Sequence, residues 1–177
     1  IPNLVVDPVM ISKSGHRLLA DDAIEVLLEK LIPQAAVVTP NLPEAQELTG
    51  IDINTVDDIG DAGEKLCETG CKAAVIKGGH MEGSADDYLY RPGEDLAVVE
   101  AERIDTENTH GTGCTFSAAL AVWLARGLGL EQSIVLAKRF ITMAIEQSLP
   151  LGSGHGPVDH ISAGAALLRR LTEQVEE

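Results

Sequence analysis

The chain has 177 residues, 45% of them hydrophobic and only 3% aromatic, so its length suits one domain whose core is built from aliphatic side chains. The 13 basic residues are outnumbered by 28 acidic ones, which gives a formal net charge of −15. This charge excludes nucleic acid and anionic membranes as general partners, because nothing offsets the repulsion between the protein and phosphate groups.

The first predicted element is a short buried strand at residues 4–6, which ends at Asp7-Pro8 and places an aspartate at its carboxyl end. The chain opens almost directly on this strand and has no initiator Met. We therefore expect it to be an N-terminally truncated piece of a longer protein. No apolar run reaches the roughly 18 residues that a transmembrane helix requires.

Helices and strands then alternate along the chain. Apolar residues recur at helical spacing over 20–31, and the apolar run at 35–38 predicts a second strand. Pro43 suits the first turn of a short helix that runs through Leu48 and is stopped by Gly50.

Thr55 is a good N-cap for a helix over 56–68, because Asp57 and Asp58 follow in its first turn. The run at 73–76 predicts a third strand. A Pro-Gly turn between 84–90 and 95–102 predicts a hairpin. Three helices complete the prediction, beginning near residues 113, 130 and 159.

Alternating strands and helices predict an α/β fold with a mainly parallel sheet, a class in which ligands bind beyond the carboxyl ends of the strands. Several polar residues follow the predicted strands, and we expect them to converge on one site. They are Asp7, Asn41, Glu44, Lys77 and the turn at 110–114.

The turn Gly111-Thr112-Gly113-Cys114 precedes a helix. Glycines let backbone N–H groups approach an anion closely, and a helix N-terminus favours negative charge. The spacing alone fits an anion site or a plain loop-to-helix junction equally. Cys114 is either a reactive group in the first helical turn or a small packing residue.

Asn41 and Glu44 lie three residues apart across a strand-to-helix turn. Their oxygens suit Mg²⁺, but the same pair also forms a capping box, and the two interpretations are compatible. Lys77 is a candidate phosphate contact or a surface lysine at a turn. Asp7 is a candidate holder of metal-bound water or a turn cap.

Cys67 and Cys71 have i,i+4 spacing, but Gly70 interrupts their helix. Two further ligands at recognisable spacing, which a zinc site requires, are missing from the sequence. The three cysteines form no disulfide framework, and reduced thiols in a cytoplasmic protein fit them best.

Together, five stretches resemble the ribokinase-like superfamily, and specifically its hydroxymethylpyrimidine/phosphomethylpyrimidine kinase branch. In chain order they are VVDPVMISKSG at 5–15, TPNLPEAQELTG at 39–50, VIKGGH at 75–80, THGTGCTFSAA at 109–119 and GHGPVDH at 154–160. The resemblance implies a three-layer α/β/α fold, with residues 1–177 forming the C-terminal two-thirds of a single kinase domain that lacks its N-terminal strands.

The resemblance also implies roles for individual residues. Gly111, Thr112 and Gly113 would form the anion hole, and Cys114 would stand where the superfamily has its catalytic base. The other implied roles are Mg²⁺ association for Asn41, Glu44 and Asp7, phosphate contacts for Lys77 and Thr39, and pyrimidine contacts for Val9 and Met10.

The implied activity is ATP- and Mg²⁺-dependent phosphorylation of hydroxymethylpyrimidine and its monophosphate for thiamine synthesis, by a cytoplasmic homodimer. Pyridoxal kinase activity in the same superfamily and a non-catalytic nucleotide-binding role are the alternatives. The resemblance also implies that most residues that bind the pyrimidine lie in the N-terminal segment of family members, which this chain lacks. The sequence therefore leaves the choice of acceptor open.

We predict that Cys114→Ser or Cys114→Ala lowers turnover sharply, by about 10²–10⁴ if the thiol is a general base. ATP affinity, measured by calorimetry on the same variants, should stay close to that of the unmodified protein. Unchanged turnover would reduce Cys114 to a packing residue.

Overall fold

The computed structural model describes residues 2–11, 16–79, 83–151 and 153–173. Residues 12–15 of the first matching stretch, His80 and Gly152 lie outside this description. The chain divides into two compact units, Ile1–Arg103 and Ile104–Glu177. The prediction of a single domain over 1–177 stays a prediction, and each unit is described in turn.

The first unit is built on a five-stranded sheet in the order β1-β2-β3-β4-β5. β2 pairs in parallel with β1 and β3, whereas β4 is antiparallel to β3 and β5. Four strands therefore point the same way and β4 alone is reversed, so the predicted mainly parallel sheet and the predicted hairpin are both present. The strands are β1 Val5–Val6, β2 Val37–Val38, β3 Ala74–Lys77, β4 Asp87–Tyr90 and β5 Ala97–Val99.

Three α-helices belong to this unit: α1 Asp21–Val26, α2 Leu42–Thr49 and α3 Val56–Glu68. The helix expected over 20–31 is α-helical only in its first half. It changes to π form over Leu27–Leu31 and to 3₁₀ form over Ile32–Gln34, where Pro33 cannot continue α-helical hydrogen bonding.

Helices α2 and α3 begin and end where their local signals predict. The Thr55 hydroxyl accepts the Asp58 N–H at 3.2 Å, and the Asp58 carboxylate accepts the Thr55 N–H at 2.8 Å. Hydrogen bonds to the Asp58 carboxylate from the Asn54 N–H, the Thr55 hydroxyl and the Thr55 N–H hold the pKa of Asp58 below its ordinary value. Gly50 ends α2 in the left-handed conformation, with φ of 68°.

Apolar packing joins these helices to the sheet in two clusters. One cluster lies between α2, α3 and the β3–β4 pair, and its buried members are Leu42, Ala45, Ile59, Ala62, Ile76 and Tyr88. The other supports the parallel strands and includes Val6, Met10, Ile24, Val38, Leu66 and Cys71. The Arg103 guanidinium donates to the carbonyl oxygens of Gly79, Gly83 and Ser84, between β3 and β4, at 3.1–3.2 Å.

The second unit contains the helices α4 Thr112–Ala125, α5 Leu130–Glu146 and α6 His160–Glu173, close to the predicted bounds. Helix α5 packs against both α4 and α6. Buried aliphatic and aromatic side chains fill these contacts, among them Phe116, Leu120, Ile134, Ile141 and Ala163. Within the described part of the chain, every helix is too short or too polar to cross a membrane.

Substitutions at two glycines of α3, Gly63 and Gly60, test how this helix packs against β4. A Cβ on Gly63 would lie 2.5 Å from Cβ and 2.8 Å from Cγ of Tyr90, so we expect Gly63→Ala to lower the free energy of unfolding by about 1–3 kcal/mol. A Cβ on Gly60 meets no atom within 4 Å, so Gly60→Ala should raise it by about 0.5–1 kcal/mol. Urea denaturation measures both, and equal effects would contradict the contact.

Candidate functional site

Polar residues stand at the carboxyl ends of all three parallel strands of the first unit. Asp7 follows β1, Thr39 follows β2, and Lys77 is the last residue of β3. The Lys77 N–H donates to the Pro40 carbonyl at 2.8 Å, and Asn41 forms a parallel bridge with Lys77. The sheet register thus brings these residues together, as the sequence predicts.

Asp7 and Lys77 form an ion pair at this edge. Lys77 Nζ lies 2.7 Å from Asp7 Oδ1, and their side chains are only 13% and 15% exposed. The Thr39 hydroxyl donates to the same Asp7 oxygen at 3.3 Å. Lys77 is therefore a positioned cation rather than a solvated surface lysine, and an ammonium in this setting can contact a phosphate group.

Asn41 and Glu44 form the predicted capping box at the start of α2. The Asn41 side-chain oxygen accepts the Glu44 N–H at 2.9 Å, and Glu44 Oε2 accepts the Asn41 N–H at 2.8 Å. Asn41 therefore turns the chain from β2 into α2 and fixes where the Glu44 carboxyl lies. This local role leaves the metal role of the pair open, because the two are compatible.

The Glu44 side chain is buried, and burial raises the pKa of its carboxyl group above the ordinary value. The Asn41 N–H and the positive charge of Lys77 oppose this rise, whereas the negative charge of Asp7 adds to it. The Met10 N–H also stabilises the carboxylate. Glu44 thus lies within the electrostatic field of the Asp7–Lys77 pair.

The oxygen donors at this edge suit a hard cation. Asp7 and Glu44 supply carboxylates, and Mg²⁺ commonly binds proteins through one or two carboxylates together with substrate phosphates. Among the described residues, no three His, Cys, Asp or Glu side chains are grouped closely enough to hold a metal alone. The two carboxylates are the donor type that such a shared Mg²⁺ ion would need, and the metal role of Asn41, Glu44 and Asp7 stays a prediction.

The two predicted pyrimidine contacts differ in exposure. Val9 is 38% exposed, whereas Met10 is 2% exposed and packs in the core beside Val6. The Met10 side chain is therefore buried in the core, which sequence reasoning did not predict. Val9 is the more accessible of the two side chains, and both assignments stay predictions.

The glycine turn of the second unit forms the N-terminus of α4. Gly111 is the N-cap with φ of 86°, a conformation that strains any other residue, and its carbonyl accepts the Thr115 N–H at 2.9 Å. The N–H groups of a first helical turn have no acceptor one turn earlier in the helix. Cys114 lies in this turn and is exposed, so it is not a core packing residue.

Two contacts within the second unit fix this turn in place. The His110 N–H donates to the Gly156 carbonyl at 3.1 Å, and Thr115 Oγ1 lies 2.7 Å from His160 Nε2. His160 opens α6, whose N-cap is Asp159. Sequence analysis assigned His160 no role of its own. Its one local signal was Asp159, a good N-cap that predicts a helix start at His160.

The strand-end residues belong to the first unit and the glycine turn belongs to the second. The prediction that both groups serve one site therefore stays a prediction.

Comparison with known proteins gives consistent results. Residues 1–159 match the phosphomethylpyrimidine kinase family. The chain is 46% identical over 161 residues to the thiamine biosynthesis bifunctional protein ThiED of Geobacter sulfurreducens, covering 90% of this chain and 33% of that protein. It is 42% identical to the hydroxymethylpyrimidine/phosphomethylpyrimidine kinase of Bacillus subtilis, covering 90% of this chain and 59% of the relative.

A solved structure of Bacillus subtilis pyridoxal kinase in complex with ADP matches 92% of this chain and 60% of that one, with 42% identity and a TM-score of 0.81. This match confirms the predicted ribokinase-like α/β/α fold class. The chain spans between a third and three-fifths of the length of these relatives.

The Asp7–Lys77 pair gives a pH-dependent prediction. Lys77→Met leaves two neighbouring carboxyl groups without their ammonium, and we expect it to lower the free energy of unfolding at neutral pH by about 1–3 kcal/mol. The positive charge of Lys77 lowers the pKa of Glu44, so its removal raises that pKa further in the folded protein. The free energy of unfolding of the variant therefore falls as the pH rises above 4.5. The deficit, which is the difference in this free energy between the variant and the unmodified protein, should shrink as the pH falls towards that value.

Urea denaturation at a series of pH values measures this deficit. Lys72→Met, at an exposed lysine close by in the sequence, is the matched control and should have little effect at any pH. A deficit that stays constant across the series would contradict the electrostatic origin.

Proposed function

Because the chain belongs to the phosphomethylpyrimidine kinase family, we propose that its function is the ATP-dependent phosphorylation of 4-amino-5-hydroxymethyl-2-methylpyrimidine and of its monophosphate in thiamine biosynthesis. The family match over residues 1–159 is the observation that carries the proposal. The enzyme class is a phosphotransferase with an alcohol acceptor.

In the proposed reaction the hydroxymethyl oxygen of the pyrimidine attacks the γ-phosphorus of ATP. The bond between that phosphorus and the β–γ bridging oxygen breaks, ADP leaves, and the hydroxyl proton passes to a base. We assign the base role to Cys114, because its exposed thiol stands at the positive end of α4. A positioned general base contributes about 10²–10⁴ to the rate.

The Gly111–Gly113 turn has a separate role in this proposal. Backbone N–H groups of Thr112 and Gly113 would donate to the oxygens of the transferring phosphoryl group. The left-handed conformation of Gly111 supports this role, since it starts the helix without a side-chain cap that would compete for these donors. One such donor typically contributes a factor of about 10²–10³ to the rate. Loss of the turn geometry should therefore lower the rate of phosphoryl transfer by a factor comparable to that for loss of Cys114.

Lys77 and Thr39 are assigned to the ATP phosphates. The ion pair with Asp7 supports this role for Lys77, because it holds the ammonium at the end of β3 before any ligand arrives. Asp7, Asn41 and Glu44 would associate with Mg²⁺, which supplies charge neutralisation on the phosphates when it is bound. Phosphoryl transfer depends on such positioning and charge stabilisation more than on covalent chemistry by the protein.

Pyridoxal kinase activity is the second candidate. The 42% identity to a solved pyridoxal kinase favours it, since that protein matches nearly the whole chain. The two candidates differ in the acceptor alone, and the residues assigned above serve either reaction.

The decisive experiment measures ADP release by the protein expressed from its complete reading frame, with hydroxymethylpyrimidine and pyridoxal offered in parallel. We expect turnover of hydroxymethylpyrimidine, lowered by about 10²–10⁴ in the Cys114→Ala variant. Turnover of pyridoxal alone would replace the first candidate by the second. If calorimetry shows ATP binding but neither hydroxymethylpyrimidine nor pyridoxal is turned over, the protein is a non-catalytic nucleotide-binding protein.

We also propose that the protein is a cytoplasmic homodimer. The three free cysteines support a reducing compartment. Light scattering on the purified protein tests the dimer, and a monomer mass at micromolar concentration would contradict it.

The metal role of Glu44 can be separated from its capping role. We expect Glu44→Ala and Asn41→Ala to raise the Mg²⁺ concentration needed for half-maximal turnover, because each removes an oxygen donor. The same changes remove a helix cap, at a cost of about 1 kcal/mol.

Asp58→Ala supplies the matched control, because Asp58 completes the same kind of capping box at the start of α3. It should lose similar thermal stability while its Mg²⁺ dependence stays unchanged. If all three variants lose stability and none alters the Mg²⁺ dependence, Asn41 and Glu44 are caps only.

A further inference from the structure

Cys67 and Cys71 lie together at the C-terminal end of α3. Their sulfur atoms are 3.8 Å apart in a thiol–thiol hydrogen bond. Gly70, with φ of 120°, turns the chain back after the helix and returns Cys71 to its last turn. The roles assigned in the preceding sections use neither thiol.

The two thiols differ in exposure. Cys71 is 3% exposed and belongs to the core cluster beneath the parallel strands, whereas Cys67 is only partly buried. A small reagent in solution therefore reaches Cys67 first, because Cys71 is buried in the core cluster with its thiol on the Leu66 carbonyl.

We propose that Cys67 and Cys71 form a dithiol site that small hydroperoxides oxidise to an intramolecular disulfide, reversibly in the presence of thiol reductants. The sulfurs have to approach from 3.8 Å to a bonding distance of about 2 Å, and the partial exposure of Cys67 leaves its side chain room to rotate.

The reaction balances in two steps. The Cys67 sulfur attacks one peroxide oxygen, the O–O bond breaks, and the products are a sulfenic acid and the alcohol of the hydroperoxide, or water when the oxidant is hydrogen peroxide. The Cys71 sulfur then attacks the sulfenic sulfur, the S–S bond forms, and the hydroxyl group leaves with a proton as water. The two sulfurs are oxidised by two electrons in total, and the peroxide is reduced by two.

The surroundings of Cys71 favour the second step. The Cys71 thiol donates to the Leu66 carbonyl at 3.3 Å and to the Cys67 sulfur at 3.8 Å. The helix end therefore holds the buried Cys71 sulfur beside the sulfur that the oxidant reaches.

The position of the pair gives its oxidation a structural consequence. Cys71 is followed within three residues by β3, which carries Lys77 at its far end. A disulfide would fasten the last turn of α3 to the segment that leads into this strand. The oxidised and reduced forms therefore differ in how freely the α3–β3 connection moves.

Peptide mapping tests the proposal directly, because trypsin cuts after Lys65 and Lys72 and releases residues 66–72 with both cysteines. Cys114 falls in a separate peptide, 104–126. The folded protein is treated with hydrogen peroxide, its remaining thiols are alkylated with iodoacetamide in denaturant, and the digest is analysed by mass spectrometry. We expect peptide 66–72 to lose two hydrogens and take up no alkyl group, and dithiothreitol treatment before alkylation to restore two alkylation sites.

Three results would overturn the proposal. The first is a peptide 66–72 that stays doubly alkylated while Cys114 in the same sample is oxidised. The second is sulfinic acid on Cys67 without a bond to Cys71. The third is equally fast disulfide formation in urea-unfolded protein, which would show that the fold contributes nothing to the pairing. Cys67→Ser and Cys71→Ser, mapped in the same way, should each abolish the loss of two hydrogens.

Discussion

A buried carboxylate and a buried ammonium are each costly to remove from water, and in the first unit Asp7 and Lys77 offset that cost for each other. Glu44 depends on the same charge, because it is more deeply buried than either and lies close to Asp7. Without Lys77, two carboxyl groups would face each other at the edge of the sheet. The strand ends, the start of α2 and the candidate phosphate contacts are therefore organised around one cation.

The glycine turn of the second unit begins a helix with backbone groups alone. The left-handed Gly111 begins α4 with no side-chain cap, and the first helical turn supplies backbone dipoles instead. The Thr115–His160 hydrogen bond ties this turn to the start of α6. An anion that binds here would meet preformed donors whose positions are set by helix packing. The two units thus differ in the groups they present: a paired lysine in the first and the backbone amides of a helix N-terminus in the second.

The parts of this structure that follow from local patterns can be predicted from the sequence. The start and end of α2 and α3 depend on residues within one turn of each boundary, such as Thr55 and Gly50, and strand direction follows from the alternation of elements. The strand-end cluster follows in turn, since parallel strands end at a common edge. The Thr115–His160 contact joins residues 45 positions apart, and the burial of Met10 depends on packing by distant elements. Neither leaves a periodic trace in the sequence.

The Asp7–Lys77 pair also limits when the site can assemble as the chain folds. Its partners are separated by 70 positions, so a large loop must close before they meet. During synthesis Asp7 leaves the ribosome long before Lys77, and β1 can acquire its charged partner only after α1, α2 and α3 have been made. Until then the aspartate has no ammonium beside it and stays hydrated. The stabilisation that the pair provides is therefore gained only when β1, β2 and β3 lie side by side in one sheet.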